Sequence, residues 1–428
     1  MLVGAAGSGK TTFARRHFRA AEIVSLDACR ARMLRDSRGP DDVSHAASEL
    51  LRRTVASRLA AGQLVVVDAA NLAGHARKSL VQLARAHDCA AVVLVLDMAE
   101  ALCVERCLAR ERSADPAPVR AQVEQLDAAL PGLRDEGFRA VHVLREHQVD
   151  RVFVKRHRLW SNRRHDSGPF DIIGDVHGCA DELARLLDQL GYLRAHGDGA
   201  HRHPEGRKAI FLGDLVDRGP DVPGVLRTVM RMVDAGTALC VSGNHEAKLL
   251  RALSGKNVRL THGLAESVEQ LAREDASFRE SVARFIDRLG FHYVLDHGRL
   301  VVAHAGLREA LQGRVSGRVR EFALYGETTG EVDEVGLPVR LDWARAYGGE
   351  AAVVYGHTPM EEAHWVNNTL CVDTGCVFGG KLTALRYPER QLVSVAAARV
   401  YCPPVKPLGR HVAPHLPLAA AESDTPSS

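Results

Sequence analysis

The chain has 428 residues, 46% of them hydrophobic and 25% charged, and its formal net charge is +3. This length predicts two domains, and the apolar runs are too short to span a membrane, so a soluble protein is expected. The small net charge excludes a general nucleic-acid coat, so any nucleic-acid substrate would need a local basic groove. Nine scattered cysteines, with neither a Cys-x-x-Cys pair nor a signal peptide, favour a reducing cytoplasm.

A glycine-rich motif opens the chain. Residues 4–11 read GAAGSGKT, matching G-x-x-x-x-G-K-S/T, and a helical pattern follows. In such loops the backbone N–H groups surround phosphates, the lysine approaches the β- and γ-phosphates, and the final hydroxyl reaches Mg²⁺. Only residues 1–3 precede the motif as a strand, which predicts a natural start a few residues upstream. The ATP-binding residues predicted here are Gly4, Gly7, Ser8, Gly9, Lys10, Thr11 and Thr12.

Carboxylates follow the next predicted strands. Residues 22–26 lead to Asp27, with Arg30 one turn further on. This pair can deprotonate an attacking hydroxyl and steady the acceptor's phosphate, or it can be a surface ion pair. Residues 64–67 lead to Asp68, either a ligand of magnesium-bound water or a helix cap. With a further strand at residues 91–96, the alternation predicts a P-loop kinase domain over residues 1–154, with a parallel, doubly wound sheet.

Two other basic segments are open to two interpretations. Arg106 and Arg110, near Arg112 and Arg120, lie on or beside a helix, where they can close over ATP as a lid or remain solvated. Residues 155–169 are basic and end in Gly-Pro, which is typical of a domain linker. Contact of this linker with a polyanion is the alternative.

Five apolar runs in the second half end in glycine and metal-binding side chains. They are residues 170–179 (FDIIGDVHGC), 211–219 (FLGDLVDRG), 240–246 (CVSGNHE), 301–306 (VVAHAG) and 353–359 (VVYGHTP). Mixed carboxylate, amide and imidazole groups in this number suit two divalent ions better than one closed zinc site. Helical leucine patterns follow the first two runs, so two facing sheets covered by helices are predicted over residues 170–402.

This order of blocks resembles the calcineurin-like metallophosphoesterase superfamily. The resemblance implies a first metal on Asp175 and His177, a bridging Asp214, and a second metal on Asn244, His304 and His357. Manganese is the expected ion, with nickel, iron and zinc as alternatives. Arg218 would hold the phosphate, His245 would protonate the leaving oxygen and Asp217 would orient His245.

Over Leu2 to about Tyr401 the chain resembles the bacterial polynucleotide kinase-phosphatases, which heal RNA ends. The shared blocks are residues 25–30 (SLDACR), 168–171 (GPFD), 261–267 (THGLAES) and 373–380 (DTGCVFGG). The resemblance implies that ATP and Mg²⁺ phosphorylate a 5′-hydroxyl RNA end through Lys10, Thr11, Asp27 and Arg30. It also implies that the second half hydrolyses 2′-, 3′- or 2′,3′-cyclic phosphate ends.

The chain departs from that family at three places. The family's Asp-Ala-Thr-Asn is here DAAN at residues 68–71, and the third lid arginine is displaced. Members often continue into a ligase domain, whereas residues 403–428 are rich in Pro and Ala and are predicted to be disordered. A separate ligase is therefore an expected partner beside RNA ends (DNA is the alternative) and ATP, with no membrane partner and with homodimer formation left open.

Two other functions compete with RNA end healing. One is a small-molecule kinase fused to a dinucleoside polyphosphatase or a Ser/Thr protein phosphatase-like hydrolase. The other is a nucleotide-sensing scaffold that has lost catalysis, which is disfavoured because every expected metal ligand is present in the sequence.

Overall fold

A computed structural model describes residues 1–36, 40–111, 115–334 and 337–409. The chain forms two compact units, of which the first comprises Met1–Arg158 and Arg314–Ser316 and the second the remainder. Residues 410–428, which make up most of the predicted tail, lie outside the described part. Of the described tail residues 403–409, Gly409 donates its N–H to Pro359 O. Within the described ranges, no helix has both the length and the apolar character needed to cross a bilayer.

The first unit alternates short parallel strands with helices. Its strands are β1 (Leu2–Val3), β2 (Ile23–Ser25), β3 (Val66–Asp68), β4 (Val92–Asp97) and β5 (Ala140–Arg145). Its helices are α1 (Lys10–His17), α2 (Leu26–Asp36), α3 (Pro40–Ala60), α4 (Gly74–Ala86), α5 (Glu100–Glu111), α6 (Ala117–Ala129) and α7 (Glu146–Val149). Strand order is β1-β4-β5 in one sheet and β2-β3 in another, and every pairing is parallel.

Strands β1 and β3 are buried along their whole length, as parallel strands between helices normally are, whereas β5 exposes His142 and Val143 at the edge of its sheet. Val93 and Val95 of β4 are fully buried. The four strands expected in this unit all form, with ends shifted by one or two residues. Strand β5 was not predicted, because its His142 and Arg145 interrupt the apolar run that marks the other strands.

The second unit begins at Leu159, and the Phe-Asp-Ile-Ile run forms its first strand. Its strands are β6 (Phe170–Ile173), β7 (Leu193–Arg194), β8 (His201–Arg202), β9 (Lys208–Phe211), β10 (Ala238–Cys240), β11 (His292–Leu295), β12 (Leu300–Ala303), β13 (Thr328–Val332), β14 (Pro338–Arg340), β15 (Ala352–Tyr355), β16 (Trp365–Val366), β17 (Thr369–Cys371), β18 (Lys381–Tyr387) and β19 (Gln391–Ala396). Its helices are α8 (Ala180–Leu190), α9 (Val222–Asp234), α10 (Asn244–Leu253), α11 (Leu264–Ala272), α12 (Ala276–Arg288) and α13 (Gly317–Tyr325).

Two mixed sheets form the centre of this unit. One has the order β10-β9-β6-β18-β19 and the other the order β11-β12-β15-β17-β16. Alternate side chains point to opposite faces of a strand, so Ile172 and Val302 enter the core between the sheets, while Ile173 packs under the helices of the first sheet. Val301 packs under α13, on the outer face of the second sheet. The result is a two-sheet sandwich covered by helices.

The parallel strands decide where polar groups collect. Strands β6, β9 and β10 run parallel in one sheet, and β12, β15 and β17 run parallel in the other. The carboxyl ends of parallel strands meet at one edge of a sheet, where crevices for ligands form. The five polar runs found in the sequence follow five of these strand ends.

Candidate active site

The six predicted metal ligands follow strand ends of the second unit. They are Asp175 and His177 after β6, Asp214 after β9, Asn244 at the start of α10, His304 after β12 and His357 after β15. All are buried or nearly so, although the chain between the first and the last spans more than half of the unit. The fold therefore brings side chains from distant positions to one place.

Unusual backbone conformations aim these side chains. His177, Asp214 and His357 have positive φ angles of 46°, 46° and 72°, which non-glycine residues adopt rarely and mostly at special sites. Neighbouring glycines leave room for the carboxylates. A Cβ at Gly243 would lie 2.1 Å from Asp214 Oδ1, and one at Gly356 would lie 2.0 Å from Asp175 Oδ1.

Asp214 lies at the centre of the cluster. Its Oδ2 is 3.3 Å from His304 Nε2, 3.7 Å from His177 Nε2 and 3.8 Å from His245 Nε2. Two groups of potential ligands share this residue, His177–Asp214–His245 and Asp214–His304–His357. Within each group, the ligand atoms lie within 4.8 Å of one another. The shared carboxylate occupies the position expected for a bridge between two ions.

The imidazoles present their lone pairs to the centre. His177 Nδ1 donates to Val216 O at 2.7 Å, which leaves Nε2 as the acceptor facing Asp214. Burial lowers the pKa of His177 well below its ordinary value, so the ring stays neutral. A neutral imidazole held through its other nitrogen is the usual form of a metal-ligating histidine.

The nitrogen His304 Nε2 has more acceptors than it can satisfy. It lies 2.9 Å from Asn244 Oδ1 and 2.9 Å from His357 Nδ1, in addition to Asp214 Oδ2. Burial opposes protonation of His304, but the Asp214 carboxylate outweighs burial and raises its pKa. One proton cannot satisfy three acceptors, whereas a divalent cation can bind several at once. The donor set therefore fits a metal ion.

Buried carboxylates add excess negative charge. Burial, reinforced by Asp373 and Asp214, raises the pKa of Asp175 well above its usual range. Burial likewise raises the pKa of Asp373 to about 6. Among the described residues, Asp175 Oδ1 and His357 Nε2 are buried without a hydrogen-bond partner. Oxygen ligands left unpaired in this way are what hard divalent cations bind.

Removal of metal is expected to make the stability of the protein depend on pH. The pKa of Asp373 is about 6 in the folded protein against an ordinary 3.8, so the native state holds this proton more tightly than the unfolded state. The contribution of Asp373 to stability is therefore full below about pH 4 and is lost as pH rises through 6, whereas the lowered pKa of His177 acts in the opposite direction. We expect Asp373→Asn to raise the melting temperature of the metal-free protein above that of the wild type by a few degrees at pH 7.5 and by less at pH 5, since about 1 kcal/mol moves Tm by roughly 2–4 °C.

Calorimetry of the chelator-treated protein measures this shift. Added Mn²⁺ should remove the advantage of the variant at pH 7.5. A metal-free Asp373→Asn protein that melts at the wild-type temperature at both pH values would contradict the expectation.

Behind the ligands, Glu246 holds the loops in place. Its carboxylate accepts the backbone N–H groups of Asp214 at 2.8 Å, Leu215 at 2.7 Å and Gly243 at 2.7 Å. It therefore joins the strand end of β9 to the start of α10. Glu246 and Asp373 were not predicted as site residues, although both lie in motif blocks where each could have been found.

Arg218 and His245 lie next to the metal-ligand cluster. Arg218 Nη1 donates to His177 Nε2 at 2.5 Å, and Nη2 donates to His245 Nε2 at 3.0 Å. His245 Nδ1 bonds Asp217 Oδ2 at 2.5 Å. Ser267, which was not predicted, donates to Asp217 Oδ1 at 2.5 Å and accepts the Asp217 N–H. The chain Ser267–Asp217–His245 fixes the imidazole so that Nε2 faces the site.

Arg340 places a second guanidinium at the site. It lies at the end of β14, and its Nη1 donates to Thr358 Oγ1 at 3.0 Å, beside the His357 carbonyl. Burial lowers its pKa against the opposing effect of Asp214, Asp373 and Asp175, which shows that it lies near all three. No pattern in the sequence distinguishes Arg340 from other surface arginines.

The phosphate-binding motif forms a loop between β1 and α1. Gly7 and Gly9 have φ angles of 78° and 90°, and a Cβ at Gly7 would lie 2.2 Å from Cys103 O. Lys10 Nζ donates to Gly4 O at 2.8 Å and Ala5 O at 2.7 Å. It therefore lies across the mouth of the loop, where a phosphate would be bound. Ser8 Oγ lies 3.3 Å from Lys10 Nζ, and Thr12 lies in the first turn of α1.

Thr11 and Asp68 meet beside this loop. Thr11 Oγ1 donates to Asp68 Oδ2 at 2.8 Å, and Asp68 is buried at the end of β3. A hydroxyl and a carboxylate in this arrangement are what a phosphate-bound Mg²⁺ binds, directly or through water.

The predicted acceptor and lid residues have different surroundings. Arg30 Nη1 lies 3.3 Å from Asp27 Oδ1 in the first turns of α2, as an exposed pair. A Cβ at Gly9 would lie 3.8 Å from Arg106 Nη1, so Arg106 is beside the phosphate loop. Arg110 lies in α5, but its side chain is outside the described part, as is Arg112. Arg120 pairs with Glu100 at 2.9 Å.

Comparison with known proteins covers both units. Residues 1–133 match the family model described as AAA domain, and residues 168–387 match calcineurin-like phosphoesterase. These matches and the sheets described above confirm the predicted fold class, a P-loop domain followed by a metallophosphoesterase sandwich. They do not confirm the finer assignment to a polynucleotide kinase-phosphatase.

The similar proteins are named as dinucleoside tetraphosphatases and not as polynucleotide kinase-phosphatases. Asymmetrical bis(5′-nucleosyl)-tetraphosphatase PrpE of Geobacillus thermodenitrificans is 47% identical over 237 residues, covering 54% of this chain and 96% of that protein. Its namesake from Anoxybacillus flavithermus is 46% identical over 236 residues, with 54% and 96% covered. The one from Bacillus subtilis is 44% identical over 236 residues, again with 54% and 96% covered. These names correspond to the dinucleoside polyphosphatase alternative.

Proposed function

The chain belongs to the calcineurin-like phosphoesterase family, and from this premise we propose that its second unit hydrolyses dinucleoside polyphosphates with two divalent metal ions. The observation that carries the hydrolytic part is the position of Asp214 Oδ2, within 3.3 to 3.8 Å of three imidazole nitrogens. Support for the substrate comes from the relatives, which are named as bis(5′-nucleosyl)-tetraphosphatases. RNA end healing is the second candidate.

The residues that would hold the ions are those that surround Asp214. With Asp214, His177 and Asp175 would hold one ion, and Asn244, His304 and His357 would hold the other. Two bound divalent ions supply Lewis acidity, which offsets charge on phosphoryl oxygens and lets water react as a nucleophile near neutral pH. We propose Mn²⁺ as the native ion.

The protein's own side chains handle the substrate and one proton. With the His177 lone pair on a metal ion, Arg218 can direct its N–H groups to phosphate oxygens, which a guanidinium binds in a bidentate manner. Arg340 offers a second guanidinium from the end of β14. His245 can donate a proton from Nε2 to the leaving oxygen, because Asp217 and Ser267 hold its Nδ1 side.

Hydrolysis of diadenosine tetraphosphate tests the proposal. We expect the purified protein with Mn²⁺ to produce ATP and AMP, the products of asymmetric cleavage, and chelation to stop the reaction. Chromatography of the nucleotides measures both effects. Production of two ADP molecules would contradict asymmetric cleavage, and no cleavage while p-nitrophenyl phosphate is hydrolysed would contradict this choice of substrate.

One observation favours RNA end healing as the second candidate. The same chain carries a P-loop with the Thr11–Asp68 pair and, nearby in the same unit, Asp27 beside Arg30. A phosphotransferase fused to a phosphoesterase suits a substrate that needs both a 5′-phosphate and a free 3′-hydroxyl. Transfer of the γ-phosphate of ATP to a 5′-hydroxyl oligonucleotide, together with dephosphorylation of 3′- and 2′,3′-cyclic phosphate ends, would support it. Failure of both reactions would exclude it.

A further inference from the structure

A row of polar and cationic residues leads away from the candidate metal site along α10. Asn244, Lys248 and Arg251 are spaced i, i+4 and i+7, so they share one face of the helix, and all three line one cleft of about 2200 Å³ in the second unit. The opposite face carries the buried Leu249. Each helical turn advances 5.4 Å, so Lys248 and Arg251 lie progressively farther from the ligand Asn244.

The segment after α10 returns to the same cleft. Lys248 Nζ donates to Thr261 O and Thr261 Oγ1, both at 2.9 Å, and so ties residues 254–263 to the helix. His262 has a φ angle of 63°. A Cβ on the next residue, Gly263, would lie 2.4 Å from Arg218 N, so the backbone here packs on the Arg218 loop. His262 is therefore held beside the predicted phosphate-binding arginine.

Lys256 and Arg259 of this segment line the cleft as well. We call Lys248, Arg251, Lys256 and Arg259 the cationic wall, and His262 lies beside them. The electrostatic environment of His262 agrees with close packing of positive charge. Burial lowers the pKa of His262, and the charges of Lys248 and Arg218 lower it further. Carboxylates such as Glu266, Asp287 and Glu321 also line the cleft, but residues 247–262, which carry the wall, contribute four cations and no carboxylate.

We propose that the cationic wall binds the phosphate groups of the substrate that are attached next to the phosphate being hydrolysed. Its ligand class is thus a substrate with at least one further phosphate attached to the scissile one, either in a polyphosphate chain or through a sugar. The inference rests on the proposed hydrolysis at the metal cluster and adds a second anion subsite to it. A substrate with a single phosphate has no group to place there.

Kinetics with p-nitrophenyl phosphate as the short substrate and diadenosine tetraphosphate as the long one test whether the wall binds the additional phosphates. For Lys248→Met and Arg251→Met, we expect the KM for diadenosine tetraphosphate to rise about tenfold each, since about 1.4 kcal/mol is tenfold. The kcat/KM for p-nitrophenyl phosphate should stay within about twofold. Arg251→Met leaves the Lys248–Thr261 bonds in place and so separates charge from loop anchoring. The matched control is Arg273→Met, an exposed arginine paired with Glu269 and outside the cleft lining.

A competition assay keeps the wall testable if diadenosine tetraphosphate is not the substrate. With p-nitrophenyl phosphate as reporter, ADP should inhibit the wild type more strongly than AMP, and both wall variants should lose that preference. A parallel assay with 3′-phosphorylated oligonucleotides and 3′-mononucleotides shows whether the additional phosphates can come from a nucleic-acid backbone. If the variants lose activity equally on p-nitrophenyl phosphate and diadenosine tetraphosphate, or if ADP still inhibits them more strongly than AMP, the proposed role of the wall is wrong. If the wild type fails to cleave diadenosine tetraphosphate but keeps the ADP preference, only the proposed substrate is wrong.

Discussion

Asp214→Asn is expected to lower hydrolysis of phosphate esters by about 10³-fold or more. Asp214 Oδ2 is shared by both groups of ligand atoms, and an amide has neither the charge nor the second equivalent oxygen to hold two cations. Loss of a single charge-stabilising group in an active site commonly costs 10²–10³-fold, and Asp214 would affect both ions together. Measured kcat values and the metal content after dialysis are the two readouts.

The metal readout makes this prediction specific. The wild-type protein should retain about two ions per chain after dialysis against Mn²⁺, as expected for a two-metal site, and the variant should retain fewer. Asp234→Asn makes the same chemical change at an exposed position near the end of α9 and should behave like wild type. A folded Asp214→Asn protein with full metal content and full activity would show that Asp214 does not bridge the ions.

Lys10→Met is expected to abolish ATP-dependent phosphate transfer, with a loss of at least about 10²-fold, while hydrolysis changes less than twofold. Lys10 Nζ lies across the phosphate loop, between the carbonyls of Gly4 and Ala5. Its charge is positioned to meet the β- and γ-phosphates, and methionine retains the chain length without that charge. The hydrolytic residues all lie in the other unit.

Two assays on the same preparation measure this separation. Transfer of radiolabelled γ-phosphate to a 5′-hydroxyl oligonucleotide reports on the first unit, and p-nitrophenyl phosphate hydrolysis reports on the second. Lys78→Met, at an exposed position of α4, is the matched control. Undiminished phosphate transfer by Lys10→Met would show that the loop does not bind the transferred phosphate, and a parallel loss of hydrolysis would contradict independent sites.

Substrate choice was the weakest inference from the sequence. The five polar runs indicate phosphate chemistry, since the metals, Arg218 and His245 proposed there would act on the phosphoryl group and the leaving oxygen. They carry no information about what is attached to the phosphate. The relatives favour dinucleoside polyphosphates over the RNA ends that the whole-chain resemblance implied. The cationic wall, proposed to bind the phosphates next to the scissile one, consists of lysines and arginines on a helix and a loop that no sequence pattern sets apart.

Local patterns in the sequence were sufficient to predict the phosphate loop, the strand ends and the positions of the six candidate ligands. Each depends on a short segment in which glycines and an apolar run determine the backbone, as in the block around Asp175 and His177. The tertiary structure was needed for the role of Ser267, which orients His245 through Asp217 across 50 residues of chain. It was also needed for Arg340, which reaches the site from β14.

By itself, therefore, the sequence determined the types of donor atom and the loops that carry them, because turn geometry and strand burial are properties of neighbouring residues. Only the packing of two sheets decided which donors lie close enough to share an ion, which carboxylates lack partners and which arginines face the cleft. Those properties depend on distances between residues far apart in the chain, and such distances exist only once the strand ends have been brought to one edge.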